Sequence, residues 1–216
     1  VVNIWDCFQM VNFISNKYLN GYLSPNEFSL AIGKGQNLLI NKKMAERQGG
    51  NELAIVALKP FYKTTSITTN SSGFAAYPAK WAETQGMYKE IAGATLSVRQ
   101  ILHNEIQDAL GSVIYPIVSN PRWLEQQSGV TVYPKEVQSI EWHYLSNPTA
   151  PVLGVTYGTN DVTYNPSTSV QLELDTQFYM EIIYLTLDII GVNLADAQVQ
   201  NLIGTYSISD SNGTAN

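Results

Sequence analysis

The stretch Gly129-Val-Thr-Val-Tyr-Pro-Lys-Glu-Val-Gln-Ser-Ile-Glu-Trp-His-Tyr-Leu145 contains two strand signals that decide the class of fold. From Ser139 to Leu145 apolar and polar residues alternate, which is typical of a strand with one buried and one exposed face. The first half, 129–133, is rich in β-branched residues and ends at Pro134. The stretch therefore predicts two neighbouring strands in the middle of the chain.

Further strand signals flank this stretch, so that residues 52–170 are predicted to be mainly β. A β-branched run at 63–69 and the Asn-Ser-Ser-Gly turn at 70–73 predict a hairpin with 74–78. Two more strands are predicted at Trp81–Tyr88 and Arg122–Gln126.

Helical periodicity appears at the N-terminal end of the chain. Apolar residues recur at helical spacing over 3–19. The sequence Ser24-Pro25-Asn26-Glu27 then combines an N-cap serine, a proline at the first helical position and a glutamate at the third. This capping box predicts that a second helix begins there and that residues 1–47 form a helix hairpin.

More helices are predicted within and after the β region. Apolar residues at helical spacing predict a helix over 97–110 that ends at Gly111. Residues 175–204 are predicted to form the C-terminal helices, the first capped by Asp175 and the second beginning near Asn193. Small polar residues at 207–216 predict a flexible tail.

A long excursion separates the β region from the last helices. Glycines at 154 and 158 predict an extended, exposed hairpin over 148–169 with its tip near Thr159. No repeat or long linker divides the chain, so we expect a single α+β domain over 1–206. Its N- and C-terminal helices pack together, with a central antiparallel β region.

Composition indicates a surface made for contacts. The chain has 216 residues, a formal net charge of −6 and a single cysteine, which excludes a disulfide framework. Charged residues make up only 14% of the chain, against roughly 25% in a typical soluble domain. Interface centres are poor in charge and rich in Tyr, and this chain has 13 tyrosines.

Neither a membrane helix nor a signal peptide is predicted. The most apolar window, Phe178 to Val192, is interrupted by Glu181 and Asp188, and it falls short of the roughly 18 residues that a membrane span needs. The N-terminal stretch has no basic region, and Asp6 interrupts it. We therefore expect a soluble chain with no membrane partner.

The segment Asn16–Glu27 has part of the register of a calcium-binding loop, with Gly21 at the sixth place and Glu27 at the twelfth. Its third position is Tyr18, which offers no carboxylate or amide ligand, and Lys17 offsets the one acidic charge. An αα-hairpin closed by a capping box accounts for the same residues, so we assign no metal ligand here.

Catalytic signatures are weak. His103 is predicted on the polar side of the 97–110 helix and His143 on the exposed side of its strand, neither beside a nucleophile elbow. Cys7 lies in an apolar helix, where burial is the ordinary finding. A hydrolase triad assembled from distant residues stays open, and no catalytic or cofactor-binding residue is assigned.

Charged groups were also weighed as binding sites. Gly33-Lys34-Gly35 lacks the spacing of a phosphate loop, and Lys42, Lys43 and Arg47 are too few for a basic stripe that binds DNA. Four of the carboxylates of the C-terminal part are expected to form a solvated face or to meet a cationic neighbour; they are Glu173, Asp175, Glu181 and Asp188.

Several turns and strand ends together resemble a known family. These stretches are Asn16–Phe28, Gly73–Pro78, Gly129–Pro134, Ile140–Leu145 with Pro148 and Pro151, and Tyr164–Val170 leading into 175–191. Over residues 3–204 they resemble the virion structural proteins of crAss-like bacteriophages that form rings in the neck and tail. The helix–β–helix order is more distantly similar to the head–tail adaptor proteins of short-tailed phages.

The resemblance implies a homo-oligomeric ring of twelve copies that joins the portal protein or other neck and tail rings. Genomic DNA would pass through its lumen without sequence-specific binding. It further implies a place in the virion after assembly in the host cytoplasm, and no enzymatic activity, cofactor or metal. A head-completion stopper or a tail terminator is the alternative in the same class. The alternative in a different class of function is a small hydrolase, or a carbohydrate-binding module on the Tyr- and Trp-rich strands.

The charge distribution suggests how such a ring would be oriented. All 12 Lys and Arg lie at or before Lys135, whereas nine acids and no base follow from Glu136 onward. We expect the acidic part to face DNA or a basic neighbouring ring, and the basic part to meet the next subunit. The excursion 148–169 is expected to reach a neighbouring subunit or ring.

Overall fold

A computed structural model describes residues 1–19, 21–91, 93–111, 115–158 and 162–192. Their order is α1 (Ile4–Leu19), α2 (Pro25–Gln48), α3 (Glu52–Leu58), β1 (Tyr62–Thr68), β2 (Phe74–Ala76), β3 (Trp81–Ile91), β4 (Ala94–Ser97), β5 (Arg99–Ile101), α4 (Ile106–Gly111), β6 (Arg122–Gln126), β7 (Gly129–Tyr133), β8 (Ser139–Ser146), β9 (Val155–Tyr157), β10 (Val162–Tyr164) and α5 (Tyr179–Ile189). The chain has the predicted α+β fold.

The described residues form two compact units. The helical unit contains residues 1–60 and the described residues from 148 onward, and the β unit contains 61–147. In the helical unit α2 packs on α3 and α5, and α1 also contacts α5. The N- and C-terminal helices therefore pack together, as the sequence predicted.

The capping box begins α2 as predicted. The Ser24 hydroxyl accepts a hydrogen bond from the backbone N–H of Glu27 at 3.3 Å, and the Glu27 carboxylate accepts one from the Ser24 N–H at 2.9 Å. Pro25 occupies the first turn, where its missing N–H costs nothing. Both helices predicted for the N-terminal end are therefore present, as α1 and α2.

Helix α3 was not predicted, because its pattern is inverted. It buries Ala54 and Ala57 with Leu58, while Leu53 (62% exposed), Ile55 and Val56 face outward. Small residues inside and large ones outside give no apolar stripe of the usual kind. The N-cap Asn51, whose side chain accepts the Leu53 N–H at 3.0 Å, is the local signal for this helix.

The β unit contains two four-stranded sheets. The first has the order β1-β8-β3-β4 and is antiparallel throughout. The second has the order β2-β7-β6-β5, in which β5 and β6 run parallel. Both sheets contribute to one apolar cluster that includes Met87, Trp123, Val130, Val132 and Trp142. The alternation predicted for β8 is confirmed, since Ile140, Trp142 and Tyr144 lie in this cluster.

The predicted hairpin of 63–69 with 74–78 is wrong. Strand β1 pairs with β8 and β2 pairs with β7, so the two belong to different sheets. The turn between them forms as predicted, with the Gly73 N–H bonded to the Asn70 carbonyl and Gly73 at φ +80°. The turn leads the chain from the first sheet to the second. Just before it, the buried Thr69 hydroxyl donates to the Val137 carbonyl at 2.7 Å.

The helix predicted over 97–110 is wrong in its first half, and only Ile106–Gly111 is helical. Val98 and Ile101 are buried through sheet contacts instead: the Val98 N–H donates to the Met87 carbonyl at 2.8 Å, and β5 pairs with β6. Leu102, which the helical stripe would bury, is 53% exposed. Sheet pairing satisfies the backbone of these β-branched residues while burying them.

The C-terminal predictions are confirmed as far as the structure describes them. The Asp175 side chain caps a short 3₁₀ turn at Thr176–Phe178 that leads into α5, and Gly191 follows the helix at φ +86°. The predicted hairpin forms as β9 paired with β10. Its tip at 159–161, the short helix from Asn193 and the tail 207–216 lie outside the described residues.

Two glycines inside α2 are expected to respond differently to alanine. At Gly33 a Cβ would meet Pro151 at 3.5 Å, an ordinary contact, so Gly33→Ala should raise the free energy of unfolding by about 0.5–1 kcal/mol. At Gly35 a Cβ would lie 3.3 Å from Ile182 and Thr186, which would have to move. Gly35→Ala should therefore raise the free energy of unfolding by less than Gly33→Ala does, or lower it. Chemical denaturation measures both; equal gains would contradict the close contact of α2 with α5.

Candidate functional site

A segment in extended conformation, residues 149–153, crosses the surface of α2 and is called the strap below. The Gln36 side-chain amide donates to the Thr149 carbonyl at 3.0 Å, and the Ser29 hydroxyl accepts the Leu153 N–H at 3.0 Å. At the start of the strap the Glu173 carboxylate accepts both the N–H and the hydroxyl of Thr149, at 3.1 and 2.9 Å. The strap is therefore fixed at both ends.

The strap leads into β9 and β10, which form a two-stranded ribbon. Its base is closed by the Gly154 N–H, which donates to the Ser169 hydroxyl at 2.9 Å, and by that hydroxyl donating to the Asn165 carbonyl at 2.8 Å. A Cβ on Gly154 would lie 2.7 Å from the backbone carbon of Thr168, so only glycine fits this approach. The base of the ribbon is a tightly packed turn.

Aromatic and amide contacts anchor the ribbon to α1. Trp5 stacks on Tyr164 with ring centroids 5.4 Å apart. Gln171 joins the same place from the other side, since its amide donates to the Tyr164 hydroxyl at 2.6 Å and its oxygen accepts the Ile4 N–H at 2.9 Å. The ribbon is thus mounted on the first turn of α1.

Beyond this anchored base the described residues of the ribbon are exposed and uncharged. Tyr157 is 68% exposed and Val162, which pairs with it across the ribbon, is 42% exposed. From Asn147 to Leu172 the sequence contains one charged residue, Asp161, which lies outside the described residues. Exposed apolar groups without neighbouring charges are typical of a contact surface.

The predicted acidic face of the C-terminal part is largely engaged within the chain. The Glu181 carboxylate pairs with the ammonium groups of Lys42 at 3.0 Å and Lys43 at 3.1 Å, and Lys43 is nearly buried. Burial acts to raise the pKa of Glu181, but hydrogen bonds and charge from the two lysines outweigh it and lower that pKa. Glu173 holds the strap and Asp175 caps the 3₁₀ turn, while Asp188 is exposed.

These contacts revise the expected separation of charge. The sequence placed Lys42 and Lys43 in one contact surface and Glu181 in another, whereas they neutralise each other between α2 and α5. Arg47 also has a partner. The carboxylates were expected to meet a cationic neighbour, and for Glu181 that neighbour is the lysine pair of the same chain.

In the segment Asn16–Glu27, two of the candidate ligands, Asn16 and Glu27, have hydrogen-bond partners within the segment itself. Glu27 is occupied by the capping box, and the hydrogen bonds from the hydroxyl and backbone N–H of Ser24 lower the Glu27 pKa. The Asn16 amide donates to the Tyr22 hydroxyl at 2.9 Å. Among the described residues no cluster of three His, Cys, Asp or Glu could hold a metal ion.

The two histidines lie in different settings. His143 contacts the Glu141 carboxylate at 2.7 Å on the outer face of the first sheet, and the Tyr88 ring meets it edge-on at 4.8 Å. No described Ser, Thr or Cys side chain hydrogen-bonds to His143. His103 lies in the exposed turn before α4, not on the predicted helix. Cys7 is buried, and this burial raises its thiol pKa.

Neither the cavity nor the tryptophans of the β unit form an evident ligand site. A cavity of about 390 Å³ lies beside α4 and contains Glu105, Asp108 and Arg122 but neither histidine. Of the three tryptophans of the β unit, Trp123 and Trp142 are buried and Trp81 stacks on Tyr77. Within the described part of the chain no helix is long and apolar enough to cross a membrane.

Sequence reasoning found the position of the ribbon but not its supports. Gln36 and Trp5 hold the strap and the ribbon base across more than one hundred positions of sequence, and Gln171 links Tyr164 to the equally distant Ile4. No local pattern marks such partners. A scan against models of known protein families finds no match for this chain, and a search of the curated proteins finds none either.

Glu181→Gln should lower the free energy of unfolding at neutral pH by about 1–2 kcal/mol, because it leaves Lys43 nearly buried with a weaker set of partners. Since the folded-state pKa of Glu181 is lowered, its contribution is present above the ordinary carboxyl pKa and is lost as pH falls through the folded value. The difference between wild type and variant should close in acid. Denaturation at several pH values measures it, with exposed Asp188→Asn as a control expected to change little.

Proposed function

We propose that this chain is a virion structural protein of a bacteriophage, one subunit of an oligomeric ring in the neck or tail. The ring links the portal to the tail and surrounds the channel through which DNA passes. The resemblance in sequence supports this proposal at the level of the family, and the ribbon supports it physically. The class of function is mechanical and needs no catalytic group.

The rigidly mounted ribbon is the observation that carries the proposal. An isolated two-stranded hairpin is marginally stable in water, yet this one is fixed at its base by Tyr164 and Gly154 and exposes Tyr157 and Val162 beyond it. A fixed base holds the exposed part in one orientation, which lowers the entropy cost of binding. A subunit that meets identical neighbours at a repeated angle needs such a contact.

Other exposed apolar groups fit the same proposal. The outer face of α3 presents Leu53, Ile55 and Val56, and Leu30 on α2 is 76% exposed. Large apolar patches on one chain mark contact sites. A ring subunit contacts two neighbours and the rings above and below it, so several separate contact surfaces are expected.

The mass of the purified protein, alone and with its portal protein, tests the proposal. We expect a closed oligomer of twelve copies, or one that forms on the portal. A chain with residues 156–163 replaced by Asn-Gly should keep the wild-type melting temperature, because the anchored base is intact, and should lose assembly. A persistent monomer with no affinity for portal or neck proteins would contradict the ring. Image reconstruction of the neck separates a ring subunit from a stopper or a terminator.

The hydrolase alternative makes an opposite prediction about the histidines. Replacing His103 and His143 together by Ala should leave assembly and infectivity nearly intact, because both side chains lie at the surface of the β unit. Glu141→Gln serves as a matched change to the partner of His143. Infectivity lost in the double variant, with folding and assembly preserved, would favour chemistry over a mechanical role.

A further inference from the structure

Strand β1 is an unprotected edge of the first sheet. It pairs with β8 on one side only, and on its other side none of its backbone N–H or C=O groups is hydrogen-bonded among the described residues. Edge strands are ready templates for pairing with another chain, and proteins usually blunt them with short length, proline, bulges or charge. Strand β1 has seven residues, no proline and one charge, Lys63.

The other edges of the two sheets are less able to accept a strand. Strand β4 has four residues, and β2 and β5 have three each. In β1, by contrast, Thr64 and Ser66 are exposed, and Thr65 and Ile67 are half-buried. Strand β1 is the longest of these four edge strands, and most of its exposed residues carry a hydroxyl group, so we take it as the acceptor.

The ribbon of the same chain has the matching chemistry. Strands β9 and β10 pair only with each other among the described residues, so each has an unsatisfied outer edge. Their described residues are uncharged and include exposed Thr156 and Thr163. Hydroxyl and apolar side chains facing Thr64 and Ser66 form favourable cross-strand pairs, and no like charges oppose each other.

We propose that the ribbon of one copy adds to the β1 edge of the next copy, making a continuous sheet across the subunit contact. Neither edge has a strand partner among the described residues, and a second copy supplies a strand of matching chemistry for each. The contact joins two different surfaces, and repeated head to tail it generates a ring when the rotation closes. This inference rests on the proposed ring and names the contact that would close it.

Cross-linking between two differently marked copies tests the contact. One variant carries Ser66→Cys in β1 and the other Thr163→Cys in the ribbon, and a short bismaleimide is added to each alone and to their mixture. Cross-linked pairs are expected in the mixture only. The wild-type chain is the control, because its one cysteine, Cys7, is fully buried. Cross-linking of Ser66→Cys alone would indicate β1 pairing with β1 and overturn the proposal, as would no cross-link in an assembled mixture.

Proline variants test the backbone hydrogen bonds. Neighbouring residues of a strand direct their backbone N–H groups to opposite sides. The N–H of one of the two residues Thr64 and Thr65 therefore points toward β8, and the N–H of the other points away from it. Of Thr64→Pro and Thr65→Pro, one should lose folding, and the other should fold with a melting temperature near wild type and fail to assemble. Thr64→Ala and Thr65→Ala keep the N–H and should assemble. A folded proline variant that assembles normally would overturn the inference.

The two proposals fail in different ways. A wild-type chain that stays monomeric with its portal contradicts the ring itself. If the wild-type chain forms rings but the Ser66→Cys and Thr163→Cys variants are not cross-linked in their assembled mixture, the ring proposal is retained and the strand addition is refuted. The outcome of the mass measurement therefore decides which of the two is at fault.

Discussion

The contact between α2 and α5 is the constraint on which the helical unit depends. Gly35 leaves room for the two helices to approach, since a Cβ at this position would lie only 3.3 Å from Ile182 and Thr186. At the end of the same contact, the nearly buried ammonium group of Lys43 requires Glu181, because an unpaired charge there would be costly. A small residue and an ion pair thus fix one helix against the other.

The candidate contact surface follows from that arrangement. Once α2 is held, Gln36 and Ser29 on its surface give the strap two fixed points, and the strap positions Gly154 at the base of the ribbon. Trp5 adds an anchor from α1. The ribbon is therefore oriented by the helical core, although its own strands are too short to be stable alone. The mechanical role proposed above requires this kind of support, since a contact that transmits force must not pivot on its base.

Predictions from sequence succeeded where the signal was local and failed where burial was decided at a distance. The Ser24–Glu27 capping box and the alternation of β8 contain their own physical reason, and both are confirmed. The stripe of 97–110 looked helical, but Val98 and Ile101 gained backbone partners in β3 and β6. Helix α3 was not predicted because its large side chains point outward, contrary to the pattern of an ordinary amphipathic helix.

The sequence by itself determined the α+β order, the first two helices, most strands, and an excursion over 148–169 with a single charged residue, because turn chemistry, capping and side-chain periodicity act between residues a few positions apart. Only the tertiary structure decided which strands share a sheet, that Lys42 and Lys43 neutralise Glu181, and that β1 lies at the edge of its sheet among the described strands. These three features depend on which distant segments gain most stability when they are buried and hydrogen-bonded against each other. That competition involves the whole chain, and no local pattern records it.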